Sequence, residues 1–290
     1  MRGNIPAYDI EAPSSLSDAL QRLADEPGAW TPFAGGTDLM VVLEMGRLPV
    51  GRYLSILGLP ELDGISVGDD EVRLGANTTY REIRDHAVLA DEFPMLVRAA
   101  IETGAIAIQN RGTLGGNIMN ASPAADSPPA LLAYDASVEL VSVRGTRRVR
   151  YEDFHTGYKQ TVKQKDELLS AVVLPRRSSG ARSNWLHHYE KVGTRSWQAI
   201  SKVCFAGLAR VEGGVVVTCR VGLGAVQPVP ALASSLMAAM VGQPVGEALV
   251  KVAQDAILAD VKPIDDIRST AAYRARVARN LAGVFARSLS

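Results

Sequence analysis

Apolar residues recur at helical spacing near both ends of the chain. Near the start, four of them share one face of a predicted helix: Leu16, Ala19, Leu20 and Leu23. Pro27-Gly28 ends this helix. Near the end, another four form one stripe: Tyr273, Val277, Leu281 and Phe285. Stripes of this kind are typical of helices packed on a core, so both faces are predicted to be buried.

A glycine pair separates a predicted strand from a predicted helix early in the chain. The strand is "WTPFA", followed by Gly35-Gly36 and the helix "TDLMVVLEMG". Thr37 or Asp38 is the candidate N-cap. The buried side of this helix is predicted to carry Leu39, Met40, Val42 and Leu43. A strand–turn–helix junction leaves backbone N–H groups free, and the helix dipole favours an anion there.

Alternation of apolar and polar residues predicts strands in the middle of the chain. Residues 65–79 form two strands around a Gly-Asp-Asp turn, and 137–154 form two around Arg144-Gly145. The segment "LLSAVVLP" is a further strand. Between them, Thr79-x-x-Glu82 is a capping box for the helix "YREIRDHAVLA", and Pro94 lies in the first turn of the next helix.

A second glycine pair lies in "RGTLGGNIMNASPAAD", residues 111–126. After it, Asp126 or Ser127 is predicted to cap a short helix. From about residue 180 the pattern changes. Residues 200–226 predict a β-hairpin that turns at Gly213-Gly214, and the chain from Ala231 onward is mainly helical.

Composition narrows the possible functions. Apolar residues make up 47% of the 290 residues, and 31 basic residues balance 31 acidic ones, so no basic field exists to hold nucleic acid or anionic lipid. No apolar stretch approaches the ~20 residues that a membrane span needs, and "MRGNIPAYDI" lacks the apolar core of a signal peptide. We expect a cytoplasmic protein that contacts neither nucleic acid nor membrane.

Metal and catalytic motifs are missing from the sequence. Cys204 and Cys219 are too few for a disulfide framework or a four-thiolate site. The histidines show no metal-ligand spacing, and the adjacent pair His187-His188 is predicted to lie at the surface. "GLGAVQ" begins like a dinucleotide fingerprint, but Gln227 replaces its third glycine. No catalytic residue and no metal ligand is predicted, which leaves the chemistry to a cofactor.

The two glycine pairs together suggest what that cofactor carries. Each pair stands beside a threonine and is predicted to present consecutive N–H donors with no Cβ in the way. Two facing nests of this kind could clamp a diphosphate. The alternative is that they are two unrelated tight turns.

Several stretches resemble one known family. "AGGTDL" and "RGTLGGNIMNASPAAD", in this order, are similar to the flavin subunit of the molybdenum hydroxylases, which include xanthine dehydrogenase and the medium subunits of carbon monoxide and nicotinate dehydrogenases. The likeness extends to "ELLSAVVLP", "HHYEKVGTR" and "DDIRSTAAYRARVARNL", and so to nearly the whole chain.

The resemblance implies an α+β fold. It comprises a two-subdomain FAD-binding fold of the vanillyl-alcohol-oxidase (PCMH) type and a small C-terminal domain of the carbon monoxide dehydrogenase flavoprotein type. The expected domains are residues 1–55, 56–178 and 179–290.

The resemblance also implies a set of FAD-binding residues. They comprise two pyrophosphate loops, an acidic flavin contact at Asp126, a backbone contact at Leu168 and a lysine near the ring at Lys191. The full set is Pro32, Phe33, Ala34, Gly35, Gly36, Thr37, Asp38, Leu39, Thr103, Thr113, Leu114, Gly115, Gly116, Asn117, Asp126, Leu168 and Lys191. From the residues alone, Asp126 is a helix cap and Lys191 a solvated side chain.

This sequence departs from the family pattern in two places. "AIQN" (107–110) stands where the family often has Gln-Ile-Arg-Asn, so the family's role for those side chains is not carried over, while the loop itself is intact. The first loop reads Gly-Gly-Thr-Asp and not Gly-Gly-His-Ser, which argues against carbon monoxide as substrate. The cysteine count argues against the 4-hydroxybenzoyl-CoA reductase type, whose flavin subunit carries an additional iron–sulfur cluster.

The function implied by the resemblance is electron transfer. Non-covalent FAD on this chain would take electrons from [2Fe-2S] clusters of a small partner subunit and pass them to NAD⁺, oxygen or another acceptor. A large partner subunit would hold the molybdopterin cofactor, in an (αβγ)2 heterohexamer. The alternative is a free-standing FAD-dependent oxidoreductase of the same fold.

Overall fold

The computed structural model describes residues 8–177, 184–195 and 198–290. The first sheet is parallel, with strand order β1-β3-β2. Its strands and the two helices between them are β1 (Asp9–Glu11), α1 (Leu16–Asp25), β2 (Trp30–Phe33), α2 (Leu39–Glu44) and β3 (Arg52–Ser55). The predicted helix α1 is confirmed: Ser15 Oγ accepts from Asp18 N at 3.1 Å, and the predicted apolar face packs against β2 and β3.

The short helix α2 differs from its prediction. None of its residues is buried, and Met40 is 51% exposed. Asp38 is the N-cap residue, but its side chain makes no capping bond, and its Oδ1 accepts instead from Asn120 Nδ2 at 3.1 Å. The predicted buried face was wrong because the periodic apolar residues of α2 meet no neighbouring element that covers them.

The second sheet is antiparallel, with strand order β4-β5-β10-β6-β7. Its strands are β4 (Ile65–Val67), β5 (Glu71–Gly75), β6 (Ser137–Ser142), β7 (Gly145–Arg150) and β10 (Leu168–Pro175). The strand pair β8 (His155–Gly157) and β9 (Gln160–Thr161) forms a separate hairpin. The strands predicted for 65–79, 137–154 and 168–175 are therefore confirmed.

Six helices lie between β5 and β6. They are α3 (Tyr80–Asp85), α4 (Ala87–Glu92), α5 (Pro94–Glu102), α6 (Ile106–Gln109), α7 (Leu114–Met119) and α8 (Ser127–Ala133). The capping box of α3 is present, with Thr79 N donating to Glu82 Oε2 at 2.7 Å. The single helix predicted after it is divided in two, because His86 has extended backbone angles that end α3.

The third sheet follows the chain order β11-β12-β13-β14 and is antiparallel. Its strands are β11 (Trp185–Val192), β12 (Val203–Glu212), β13 (Val215–Gly224) and β14 (Ala231–Leu232). Three helices complete this part of the chain: α9 (Ser234–Met240), α10 (Glu247–Ala256) and α11 (Ala271–Arg287). The hairpin turn at Gly213-Gly214 is confirmed, and both glycines have positive φ.

Side-chain burial in this third part both supports and corrects the predictions. Leu281 and Phe285 of α11 are buried, whereas Tyr273 at the other end of the stripe is only partly covered. The pair His187-His188 lies on β11 and is half-buried, so its predicted surface position was wrong. Burial lowers the pKa of both rings, that of His187 to about 4.

A hydrogen-bonded turn precedes α11. Asp266 Oδ1 accepts from Arg268 N at 2.8 Å, Ser269 N at 3.0 Å and the buried Arg274 guanidinium at 2.7 Å. Arg274 also donates to Ala225 O at 2.8 Å. Burial raises the pKa of Asp266, but these hydrogen bonds and the guanidinium charge outweigh it and bring the pKa down to about 2.

The predicted domain limits remain predictions. The limit between residues 55 and 56 follows the end of β3. The limit between residues 178 and 179 lies outside the described residues. In the ranges that the structure does describe, no helix has the length and apolarity needed to cross a membrane.

Candidate functional site

A cavity of about 490 Å³ lies where the two glycine loops meet the first residues of β10. This volume falls within the range of about 300–1,000 Å³ that is usual for small-molecule sites. Most of the residues predicted for the cofactor line it: Pro32, Ala34, Gly35, Gly36, Thr37, Asp38, Leu39, Thr103, Thr113, Gly115, Gly116, Asn117 and Leu168. Residues that are far apart in sequence are thus brought to one concave surface.

The two loops touch backbone to backbone. A Cβ on Gly35 would lie 1.8 Å from Arg111 O, so only glycine allows this approach. Gly36 has a φ of +73°, in the left-handed region, and a Cβ there would lie 2.8 Å from Phe33 Cζ. The first pair therefore consists of one glycine needed for loop contact and one needed for backbone conformation.

Backbone amides of the first loop are free to bind a ligand. Among the described residues, no protein acceptor takes the backbone N–H groups of residues 35 to 39, and all five residues line the cavity. A run of unpaired backbone donors along a cavity wall is suited to an anion.

The second loop does not present free amides, contrary to the prediction. Gly115 N donates to Ala76 O at 2.9 Å, and Gly116 N donates to Thr113 Oγ1 at 3.1 Å. A Cβ on Gly115 would lie 2.7 Å from Ala76 Cβ, so this glycine lets α7 approach residue 76. The amides are taken because strand-end carbonyls and the Thr113 cap satisfy the start of α7.

The second loop contributes a side chain instead. Asn117 lines the cavity, and its Oδ1 is buried with no partner in the described part of the chain. Asn77 has the same property on a neighbouring part of the wall: its Nδ2 donates to Ile56 O at 2.7 Å, while its Oδ1 is unpaired. Unpaired buried amide oxygens in a cavity are acceptors for donor groups of a ligand.

Asp126 and Lys191 form a buried ion pair beside the cavity. Lys191 Nζ lies 2.6 Å from Asp126 Oδ2 and also donates to Glu102 O at 3.0 Å. Ser201 Oγ donates to Asp126 Oδ1 at 2.7 Å. Asp126 is the N-cap residue of α8, as predicted, but its side chain makes no capping bond. The Lys191 side chain is only 4% exposed, so the interpretation of Lys191 as a solvated side chain was wrong.

This ion pair lies behind the cavity wall. Neither residue lines the cavity, but Thr103 does, and its Oγ1 is 3.4 Å from Asp126 Oδ2. Burial raises the pKa of Asp126, and the ammonium of Lys191 opposes that rise. The contact with Thr103 is the link that the structure shows between this pair and the described cavity lining.

Two other predicted residues also lie outside the cavity lining. Leu114 is fully buried in the core of the second sheet, and Phe33 lies beneath Gly36. The departure from the family pattern at 107–110 is also explained. Gln109 is buried and bonds Arg84 and Ile101 O, so it supports α6 rather than a ligand.

The structure adds cavity residues that the sequence did not indicate. They are Thr31, Ile56, Ala76, Asn77, Tyr80, Ile108, Gly112, Met119, Asn120, Lys163 and Leu169. Most are apolar residues that a core position explains equally well, so periodicity could not separate them. Gly112, Met119 and Asn120 lie within the second motif (111–126), and the polar side chain of Asn120 was a signal available there.

The geometry fits FAD as the ligand. Its diphosphate needs donors, which the first loop supplies, and its rings need an apolar wall with a few polar acceptors. Among the described residues, no group of three or more His, Cys, Asp or Glu side chains could hold a metal ion. Cys204 and Cys219 are free and buried, and burial raises the pKa of both thiols.

Comparison with known proteins gives matches along most of the chain. Residues 6–177 match the FAD binding domain in molybdopterin dehydrogenase, and residues 187–289 match the CO dehydrogenase flavoprotein C-terminal domain. The xanthine dehydrogenase FAD-binding subunit of Escherichia coli is 30% identical over 262 residues, covering 90% of this chain and 88% of that protein. The glyceraldehyde dehydrogenase medium chain of Sulfolobus acidocaldarius is 28% identical, covering 95% and 96%.

Solved structures agree with these matches. Carbon monoxide dehydrogenase from Hydrogenophaga pseudoflava superposes with a TM-score of 0.91 at 26% identity, covering 97% of this chain and 96% of that chain. Quinoline 2-oxidoreductase from Pseudomonas putida superposes with a TM-score of 0.89 at 26% identity, covering 98% and 97%. The expected α+β fold is confirmed.

Proposed function

The chain belongs to the family of FAD-binding subunits of molybdenum hydroxylases, and we propose that it takes electrons from [2Fe-2S] clusters of a partner subunit and passes them to a final acceptor. It is an oxidoreductase subunit with an FAD-binding domain. The observation that supports the binding step best is the run of free amides from Gly35 to Leu39, which lines a cavity in contact with the second loop.

Each part of the site has a proposed role. The amides of the first loop bind the diphosphate, and Asn117 and the Leu168 backbone bind other polar groups of the cofactor. The contact between Gly35 and Arg111 fixes the distance between the loops. Thr103, which lines the cavity and lies 3.4 Å from Asp126 Oδ2, is proposed to contact the flavin. When bound, FAD supplies a ring that accepts electrons singly and gives them up in pairs.

We propose two partners for this chain: a small subunit with [2Fe-2S] clusters and a large subunit with the molybdopterin cofactor, in an (αβγ)2 heterohexamer. The relatives support this because one is named a medium chain and others are named FAD-binding subunits. Among the described residues that line the cavity, Asp38 is the one carboxylate and none is a histidine, which supports a division of labour between subunits. The final acceptor is proposed to be NAD⁺, oxygen or another oxidant.

A binding titration tests the cofactor assignment. We expect the purified chain to bind about one FAD, released by acid because none of the described residues that line the cavity is a histidine or a cysteine. Gly36→Val is expected to lower occupancy because a side chain there is strained and meets Phe33. Gly51→Val is the matched control, since a Cβ at Gly51 meets no atom within 4 Å. Folded protein that ignores FAD refutes the assignment.

A separate experiment tests dependence on partners. Candidate substrates are added anaerobically to the FAD-loaded chain, alone and after co-expression with the proposed partners, while the flavin absorbance is followed. We expect bleaching only in the complex. Rapid, stoichiometric bleaching of the isolated chain would instead identify a free-standing FAD-dependent oxidoreductase.

A further inference from the structure

Lys163 is a cation in a cavity wall that otherwise carries little charge. Among the described residues that line the cavity, it is the one lysine or arginine, and Asp38 is the one acidic residue. Lys163 follows the β8–β9 hairpin and precedes β10, and it is half-buried. A half-buried charge at a cavity wall requires a partner.

Two backbone carbonyls hold the Lys163 ammonium in place. Its Nζ donates to Gln164 O at 2.8 Å and to Glu167 O at 3.0 Å. An ammonium group has three N–H donors, so one remains after these two bonds. The side chain is thus fixed at the cavity wall with one donor unused.

No carboxylate neutralises this ammonium. The two nearest acidic side chains are committed to arginines: Asp166 pairs with Arg144, and Glu167 pairs with Arg147 through bonds of 2.6 and 2.9 Å. Within the part of the chain that the structure describes, no carboxylate oxygen lies within 4.0 Å of Lys163 Nζ. Burial lowers the pKa of Lys163, and the more distant charges of Glu167 and Asp166 only oppose that effect.

We propose that Lys163 is a cofactor-binding residue whose ammonium pairs with the diphosphate of FAD. This inference rests on the proposed function. The first loop supplies neutral amide donors, and Lys163 supplies the positive charge that the diphosphate otherwise lacks in this cavity. A fixed ammonium with one free donor suits a phosphate oxygen, because charge-assisted hydrogen bonds are the stronger kind.

The test compares three variants by FAD titration at low and high salt. Lys163→Met removes the charge at similar length and is expected to raise the Kd about ten- to a hundredfold at low salt. Lys163→Arg keeps the charge and is expected to retain most of the affinity. Lys165→Met is the matched control, since Lys165 is exposed and does not line the cavity, and it is expected to bind like the wild type. The loss in Lys163→Met should shrink at high salt because screening weakens the wild-type pair.

A second measurement does not depend on the folding of any variant. Wild-type protein is acetylated with and without FAD, and modification at each lysine is read by mass spectrometry. FAD is expected to protect Lys163 and to leave Lys165 reactive. Equal Kd and equal salt dependence for wild type and Lys163→Met, or no protection of Lys163, would overturn the inference. Wild-type protein that binds no FAD at all refutes the proposed function instead.

Discussion

Replacing Gly35 by alanine tests whether the contact between the two loops sets the affinity for FAD. The added Cβ would lie 1.8 Å from Arg111 O and 2.7 Å from Arg111 C. Non-bonded Cβ contacts start near 3.0 Å, so the loops must separate by roughly 1.2 Å, the difference between 3.0 and 1.8 Å. Overpacking of this kind costs about 1–3 kcal/mol of folding stability.

The expected loss of affinity for FAD follows from the same displacement of the loops. A shift of about 1 Å is enough to break a hydrogen bond between a loop amide and a phosphate oxygen, and such a bond to a charged group contributes about 1.5–3 kcal/mol. Each 1.4 kcal/mol corresponds to a factor of about ten in Kd. We therefore expect Gly35→Ala to raise the Kd for FAD about ten- to a hundredfold.

The assay pairs a fluorescence titration with thermal unfolding. Gly51→Ala is the control, because a Cβ at Gly51 meets nothing within 4 Å and its φ lies outside the left-handed region. That variant is expected to match the wild type or to gain about 0.4–1 kcal/mol through a less flexible unfolded chain. Wild-type affinity together with an unchanged unfolding midpoint in Gly35→Ala refutes the reasoning.

Three further perturbations have expected outcomes. Lys191→Met leaves the Asp126 carboxylate buried and unpaired and should cost about 3–5 kcal/mol in urea unfolding; adding Asp126→Asn should recover part of that loss, and no recovery contradicts the ion-pair account. Asp266 has a folded pKa of about 2 against 3.8 unfolded, so its stabilisation is present above pH 3.8 and is lost as the pH falls through about 2. Asp266→Asn should therefore have a lower unfolding temperature than the wild type at pH 7, and the difference should vanish near pH 2. A difference in unfolding temperature that stays constant with pH argues against this role of Asp266. Asn120→Ala removes the bond to Asp38 at the cavity wall and should speed FAD release in a displacement experiment, whereas an unchanged rate shows that the bond is incidental.

The first glycine loop was predictable because its determinants are local. A strand, two glycines and a helix start within a dozen residues, and that order alone indicates free amides at the junction. The second loop has a similar sequence, but its backbone amides are paired within the protein. Thr113 takes the Gly116 amide locally, but the amides of Leu114 and Gly115 are taken by the carbonyls of Thr78 and Ala76, which reach the loop only in the folded chain.

The environment of Asp126 could not be predicted for the same reason. Lys191 lies 65 residues away in sequence and Ser201 lies 75 away. From local sequence an aspartate before Ser-Pro-Pro is a helix cap, and tertiary contacts override that preference. The exposed face of α2 shows the converse: periodicity indicates an apolar face, but only the fold decides whether anything covers it.

The groups that contact Asp126 and the residues that line the cavity are synthesised at different times. Every described residue that lines the cavity precedes residue 170. The groups that hold Asp126 come later: Tyr189, whose hydroxyl donates to Asp126 O at 3.1 Å, then Lys191 and Ser201. A nascent chain stopped before residue 185 would contain all the described residues that line the cavity and none of these three groups. The environment of Asp126 is thus completed only after Ser201 has been translated, later than the described cavity wall.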